Sequence, residues 1–173
     1  MTTHNHPEPA PGPETSAGAD LTPIHQAALS GEGSLLERVS SLIEQTRAAV
    51  ATQANATLTL RNWHIGHMID VEVLKENRAG YDREIVASLE RQLTKRFGRG
   101  FKRADLYRMI QFSQLLPDKE NVATLSQQLS WSHIKELLPV RSPEARAYYI
   151  DQAVNARLSV RALRELIGRH GYE

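Results

Sequence analysis

From Leu35 to about Asn77 the apolar residues return every three or four positions: Leu35, Leu36, Val39, Leu42, Ile43, Ala49, Val50, Leu60, Trp63, Met68, Val71 and Leu74. That period fits one face of an α-helix and neither face of a strand. A stripe this long predicts one long helix or two in line. The weak place runs from Thr52 to Thr59, where Asn and Thr lower helix propensity, so a bend is expected there. Long helical regions of this kind hold more apolar surface than one small core needs. Trp63, Ile65 and Met68 are therefore the expected contacts of an interface, with a homodimer as one partner arrangement.

The remaining sequence continues in helices. Gly80 reads as a stop and Asp82 as an N-cap with Glu84 in the first turn, opening a helix through Ile85, Val86, Leu89 and Leu93 to Phe97. Gly98 and Gly100 end it. A further helix is predicted from about Arg103 to Leu116, closed by Pro117, followed by short ones around Val122–Gln128 and Ser132–Leu138. Ser142-Pro143-Glu144 combines a cap, a first-position proline and a first-turn acid, and Ser159 caps a last helix through Leu163, Leu166 and Ile167. No segment reads as a strand, so the fold class is all-α. Val86–Leu93 and Val122–Leu129 share five identical positions, each ahead of a polar turn and another helix, a pattern resembling two helix-turn-helix units in tandem.

Composition narrows the function. The 173 residues include no cysteine, which excludes a disulfide scaffold, a thiolate zinc site and a cysteine nucleophile. No stretch reaches the length of a membrane span and no signal peptide is evident, so no membrane partner and a cytoplasmic location are expected. The first 34 residues hold five of the eight prolines, four acids and no Lys or Arg; they carry −4 and leave +5 to the rest. Residues 1–34 therefore read as a disordered acidic tail, with His4 and His6 as solvated side chains, ahead of a helical domain over residues 35–171.

The strongest functional signal is cationic. Arg91, Lys95, Arg96, Arg99, Lys102, Arg103 and Arg108 lie within 18 residues containing one acid, Asp105, for a local charge of +6. They straddle Gly98-Arg99-Gly100, where a helix-turn-helix presents cations and the start of its second helix to phosphate. Lys95, Arg96, Arg99, Lys102, Arg103 and Arg108 are accordingly the candidate DNA contacts. The bland alternative is a solvated face paired with acids such as Glu84 or Glu90. Trp131 and His133, at a helix start after Ser130, are further candidates for base and phosphate contact, though a core anchor and a cap explain them too. His64, His67 and Asp70 share a helical face but lack the further ligands that zinc needs, so neither metal nor cofactor is expected. Gly66 beside them suggests a close helix crossing. No phosphate loop, dinucleotide fingerprint, His-Glu-x-x-His or Gly-x-Ser-x-Gly occurs, and no catalytic residue is assigned.

In order and spacing, Trp63-His64-Ile65-Gly66, Ile85-Val86-Ala87-Ser88-Leu89, Phe97-Gly98-Arg99-Gly100-Phe101, Leu106-Tyr107-Arg108-Met109 with Phe112, and Leu129-Ser130-Trp131-Ser132-His133 resemble the N-terminal domain of the YhcG family of bacterial proteins. The resemblance covers about Leu35 to Ile167. It implies an all-helical, helix-turn-helix or winged-helix-like domain thought to bind DNA. In full-length relatives it precedes a nuclease domain of the PD-(D/E)xK superfamily, before which this chain is expected to end. Such nucleases hold Mg²⁺ on an Asp and an Asp/Glu-x-Lys pair. Pro117-Asp118 is present but no Asp/Glu-x-Lys follows it. Asp105, where relatives often carry a neutral polar residue, would repel phosphate. The expectation is a DNA-binding module, the targeting part of a nuclease system without its own catalytic site; the alternative is an interaction or dimerisation domain that docks a nuclease or other partner.

Overall fold

The computed structural model describes residues 22–76, 80–170 and 172, and among them every regular element is an α-helix. In chain order these are α1 (Thr22–Ser30), α2 (Leu35–Glu76), α3 (Tyr81–Phe97), α4 (Arg103–Leu115), α5 (Lys119–Ser126), α6 (Trp131–Leu137), α7 (Pro143–Asn155) and α8 (Val160–Gly168). The all-α expectation holds. The strand pair that a wing requires does not occur among the described residues. No helix among them is long and apolar enough to cross a membrane.

The chain divides by its contacts at Val50 and Ala51 into two units. In the first, α1 corrects the expectation of disorder through residue 34. The average composition of the tail concealed a short run of helix formers, Gln26-Ala27-Ala28-Leu29, behind a proline near the first turn. Residues 1–21, with His4 and His6, lie outside the described residues. After Gly33, in a positive-φ conformation (φ 114°), Ser34 and Glu37 close a reciprocal capping box. The Glu37 carboxylate accepts from the Ser34 N–H at 2.8 Å, and the Ser34 hydroxyl accepts from the Glu37 N–H at 3.2 Å. Arg38 donates to the Leu29 carbonyl at the end of α1.

Helix α2 runs 42 residues without interruption, so the stripe is one long helix and not two in line. Thr57 and Thr59 turn their hydroxyls back onto the Gln53 and Asn55 carbonyls, which keeps these β-branched residues helical and lets Thr59 be buried.

In the second unit two apolar clusters share α2 and α4. The smaller joins Ile69 of α2 to Val86 of α3 and to Leu106 and Met109 of α4. The larger joins Trp63 of α2 and Phe112 of α4 to Val122, Leu129, Ile134 and Leu137, and to Tyr149 and Leu163 of the last two helices. Half-buried Trp131 packs on both. Gly66 makes this sharing possible: a Cβ there would run into the Met109 carbonyl, so α2 and α4 cross backbone to backbone, as the glycine suggested.

The C-terminal helices begin where their caps predict. Ser142 accepts from the Ala145 N–H and Ser159 from the Ala162 N–H. Asp118 moves the start of α5 ahead of the expected Val122. One of its carboxylate oxygens accepts from the backbone of Glu120 and Asn121, and the other from the Asn121 side chain. Gly80, in a left-handed conformation, occupies the cap position of α3, which leaves Asp82 inside the first turn.

Candidate nucleic-acid interface

The end of α3, the turn and the start of α4 form one continuous exposed surface. Lys95 and Arg96 fall in the last turn of α3, where cations complement the negative end of the helix dipole. Gly98 and Gly100 then reverse the chain with φ of 79° and 105°, conformations that favour glycine. The Gly98 N–H closes the helix on the Thr94 carbonyl at 2.9 Å. Arg99 lies exposed between the two glycines, and Lys102 is exposed immediately before α4.

Lys102 occupies the N-cap position of α4, and no side chain accepts from the first-turn N–H groups there. Each of the four helices that follow has a side-chain acceptor at that position, from Asp118, Ser130, Ser142 and Ser159. The positive end of the α4 dipole thus faces outward beside Arg99 and Lys102, a local field suited to an anion.

The remaining candidate cations are partly engaged. Arg103 pairs with Glu90 at 3.4 Å and Arg108 with Asp105 at 3.3 Å. Pairing with an acid of the preceding helix was the bland reading, and for Arg103 it is what occurs. Both guanidinium groups remain well exposed, and exposed pairs of this kind contribute about 0–1 kcal/mol, so each is exchangeable for a phosphate. Asp105 is turned toward Arg108, which offsets its charge.

Two aromatic rings missed by the sequence reading edge the surface. Phe97, 64% exposed, meets Phe101 at 6.1 Å, with Arg96 5.5 Å from the Phe97 ring centre and Arg61 5.4 Å from that of Phe101. The palindromic Phe-Gly-Arg-Gly-Phe string was the available signal. Behind the rings an apolar groove of about 590 Å³ runs between α2 and α3, lined by Ile65, Met68, Ile85, Leu89 and Leu93 among others, with Arg61 and Glu72 also on its walls.

Three candidates are engaged within the fold, Trp63 buried and Trp131 and His133 half-buried. Trp63 is not an interface residue: it is 4% exposed, its indole N–H donates to the Leu116 carbonyl at 2.8 Å, and its ring stacks on His67. The periodic stripe gave its face of α2 but not that α4 covers it. Ile65 and Met68 line the groove instead, Met68 at 70% exposure. Trp131 packs its ring 5.7 Å from Phe112. His133 uses both ring nitrogens inside the fold, Nδ1 with Ser130 and Nε2 with the Leu158 carbonyl at 2.8 Å, leaving none for a phosphate. His64 and His67 flank the Trp63 ring, and Asp70 accepts from Gln114 at 2.7 Å. Among the described residues no cluster of metal-ligating side chains occurs.

Residues 38–173 match the model of the DUF1016 N-terminal domain, and the chain belongs to that family, the N-terminal domain of the YhcG/DUF1016 proteins. No curated protein and no solved structure matches it.

Proposed function

We propose that this DUF1016 N-terminal domain is a DNA-binding module that uses α3, the glycine turn and α4 as a helix-turn-helix, and that it serves a nuclease system as its targeting part. The observation that carries the reading is the uncapped start of α4, preceded by exposed cations at Lys95 and Arg96 in the last turn of α3, Arg99 in the glycine turn and Lys102 at the cap position. A duplex supplies the missing acceptors as phosphate oxygens. Arg103, in the first turn of α4, is the residue assigned to a base edge, because the start of a recognition helix enters the major groove.

The measurement is binding of a short duplex across a salt series. About four phosphate contacts give a slope of log K against log salt near −3.6, and each Ala substitution at Lys95, Arg96, Arg99 or Lys102 lowers it by about one. Affinity at low salt equal to the parent's in the variant lacking all four cations sinks the reading.

The chain is assigned no catalytic role of its own. Asp118, the single carboxylate resembling part of a nuclease motif, has both oxygens occupied as the cap of α5. Plasmid incubated with the purified protein and Mg²⁺ is expected to stay intact; cleavage that follows the protein through size exclusion overturns this.

The groove favours a second reading, in which α2 and α3 dock a helix of the nuclease or another protein through Ile65 and Met68. Met68→Lys separates the two, because it blocks the groove and leaves the cationic turn untouched.

A further inference from the structure

Helices α6, α7 and α8, with the segments that follow α6 and α8, line a cavity of about 480 Å³ that the DNA reading does not use. Val140, Ala145 and Ile167 give it apolar walls, and Glu136, Arg141, Tyr149 and His170 put polar groups on the same surface. A mixed lining around a space of this size suits a small polar molecule, whereas the groove between α2 and α3 is almost wholly apolar.

Tyr149 is the group the fold leaves unsatisfied. It is 4% exposed and its ring belongs to the larger apolar cluster, yet its hydroxyl makes no hydrogen bond among the described residues. The enclosed side-chain atoms without a partner are Arg38 Nε and Arg146 Nε, so the Tyr149 hydroxyl is not sealed in the core and reaches the cavity it lines. Phenylalanine would fill the same core volume without a polar atom to satisfy. What distinguishes tyrosine here is the group it offers to the cavity.

Glu136 offers the complementary group. Arg164 donates twice to its Oε1, at 2.6 and 3.1 Å, and Oε2 accepts nothing among the described residues. The same hydrogen bonds hold the carboxyl below its ordinary value, which keeps it an acceptor at neutral pH. Arg141 and His170 are exposed and stand where the cavity opens to solvent. His170 has a φ of 50°, a conformation that favours glycine, in the turn after α8. The Tyr172 ring, 46% exposed, adds an aromatic face to the wall.

One class of molecule uses all of these groups. A nucleobase is planar, stacks on an aromatic face and presents a donor beside an acceptor on its pairing edge. An ionised carboxylate takes the donor, and a phenol gives its proton to the acceptor. The phosphate of a nucleotide is an anion, suited to a guanidinium and an imidazole at the mouth. We propose that this cavity binds a nucleotide, with Tyr149 and Glu136 on the edge of the base, Tyr172 against its face, and Arg141 and His170 on the phosphate. Its source is either the free nucleotide or a base turned out of a nucleic-acid strand. The inference stands apart from the DNA reading, because the cavity shares no residue with the cationic turn.

The test is calorimetric titration of the full chain with AMP, CMP, GMP and UMP, with adenosine and ribose 5-phosphate as the two halves of the ligand. A mononucleotide should bind more tightly than either half. Tyr149→Phe, which keeps the ring in the core, should weaken the mononucleotide by about five- to tenfold and leave ribose 5-phosphate unchanged. Arg141→Ala should weaken the mononucleotide by about fivefold and leave adenosine unchanged. The variant lacking Lys95, Arg96, Arg99 and Lys102 should bind mononucleotide like the parent, so the loss of one reading leaves the other standing. A short single strand identifies the source: if the mononucleotide displaces it and Tyr149→Phe weakens it, the base comes from a strand, and otherwise the free nucleotide is the ligand. No heat from any mononucleotide up to about 5 mM overturns the proposal, as does a Tyr149→Phe variant that binds it like the parent.

Discussion

Helices α3 and α5 carry the two eight-residue stretches that agree at five positions, and the two stretches end differently. Val86 and Val122 are both fully buried, and up to that point the two copies behave alike. Leu93 then lies on a helix that continues to Phe97, whereas α5 stops at Ser126 and leaves Leu129 in the turn. Leu129 is 1% exposed inside the larger cluster; Leu93 is half-buried on the wall of an open groove. The four residues by which α3 outlasts the echo, Thr94 to Phe97, carry two cations and an exposed ring. One copy completes a core, and the other presents a surface.

The largest test of this difference is the same substitution in both places. Leu129→Ala should cost about 3 kcal/mol in urea unfolding, because a methyl-lined cavity opens in a closed core, and Leu93→Ala about 1 kcal/mol, because water already reaches the site. Equal costs would break the comparison. Gly66→Ala should cost about 2–3 kcal/mol by forcing α2 from the Met109 backbone, a strain reaching both clusters at once. A denaturation midpoint within error of the parent's would mean that the crossing is looser than the structure has it.

His133→Ala sharpens the contrast on the closed side. Losing the ring leaves the Ser130 N–H and the Leu158 carbonyl without their partner, for a cost of about 1–2 kcal/mol, while duplex affinity at a temperature where the variant is folded should not move. Weaker binding by a folded variant would return His133 to the interface.

The smallest expected effect is the acid response of the same region. Glu136 accepts a charge-assisted hydrogen bond from Arg164, which holds its carboxyl below the ordinary carboxylate value, with their Coulomb attraction adding to it against slight desolvation. The Ser142 hydroxyl does the same for Glu144. A carboxyl whose folded value is lowered stabilises the fold above its unfolded value, near 4.3, and loses that contribution as pH falls through the folded one. Glu136→Gln should therefore unfold with a shallower acid dependence than the parent, measured by melting temperature between neutral and acidic pH.

Local chemistry made most of the fold legible. Pro143 behind Ser142, Ser159, and the glycines after Phe97 each announce a boundary through the backbone groups they satisfy or the dihedrals they allow. Gly66 announced a crossing because only the absence of a Cβ justifies glycine inside a helix. What escaped depended on partners distant in sequence. Periodicity put Trp63 on an apolar face but could not say that Leu116, 53 residues on, would receive its N–H. His133 looked available because its second partner, Leu158, lies beyond another helix. The groove required two helices to meet without filling the space between them. On the cationic side, the residues were legible one by one, and the uncapped start of α4 was not, since a lysine at a cap position says nothing of what its neighbours supply.

Both tryptophans, Trp63 and Trp131, and every tyrosine and phenylalanine fall after residue 50. The N-terminal unit is optically silent in the near ultraviolet. Indole emission therefore reports the unfolding of residues 51–173 alone, while far-ultraviolet dichroism sums helices from the whole chain. A separation between the two melting curves shows helix of the first unit melting apart from residues 51–173, without a label.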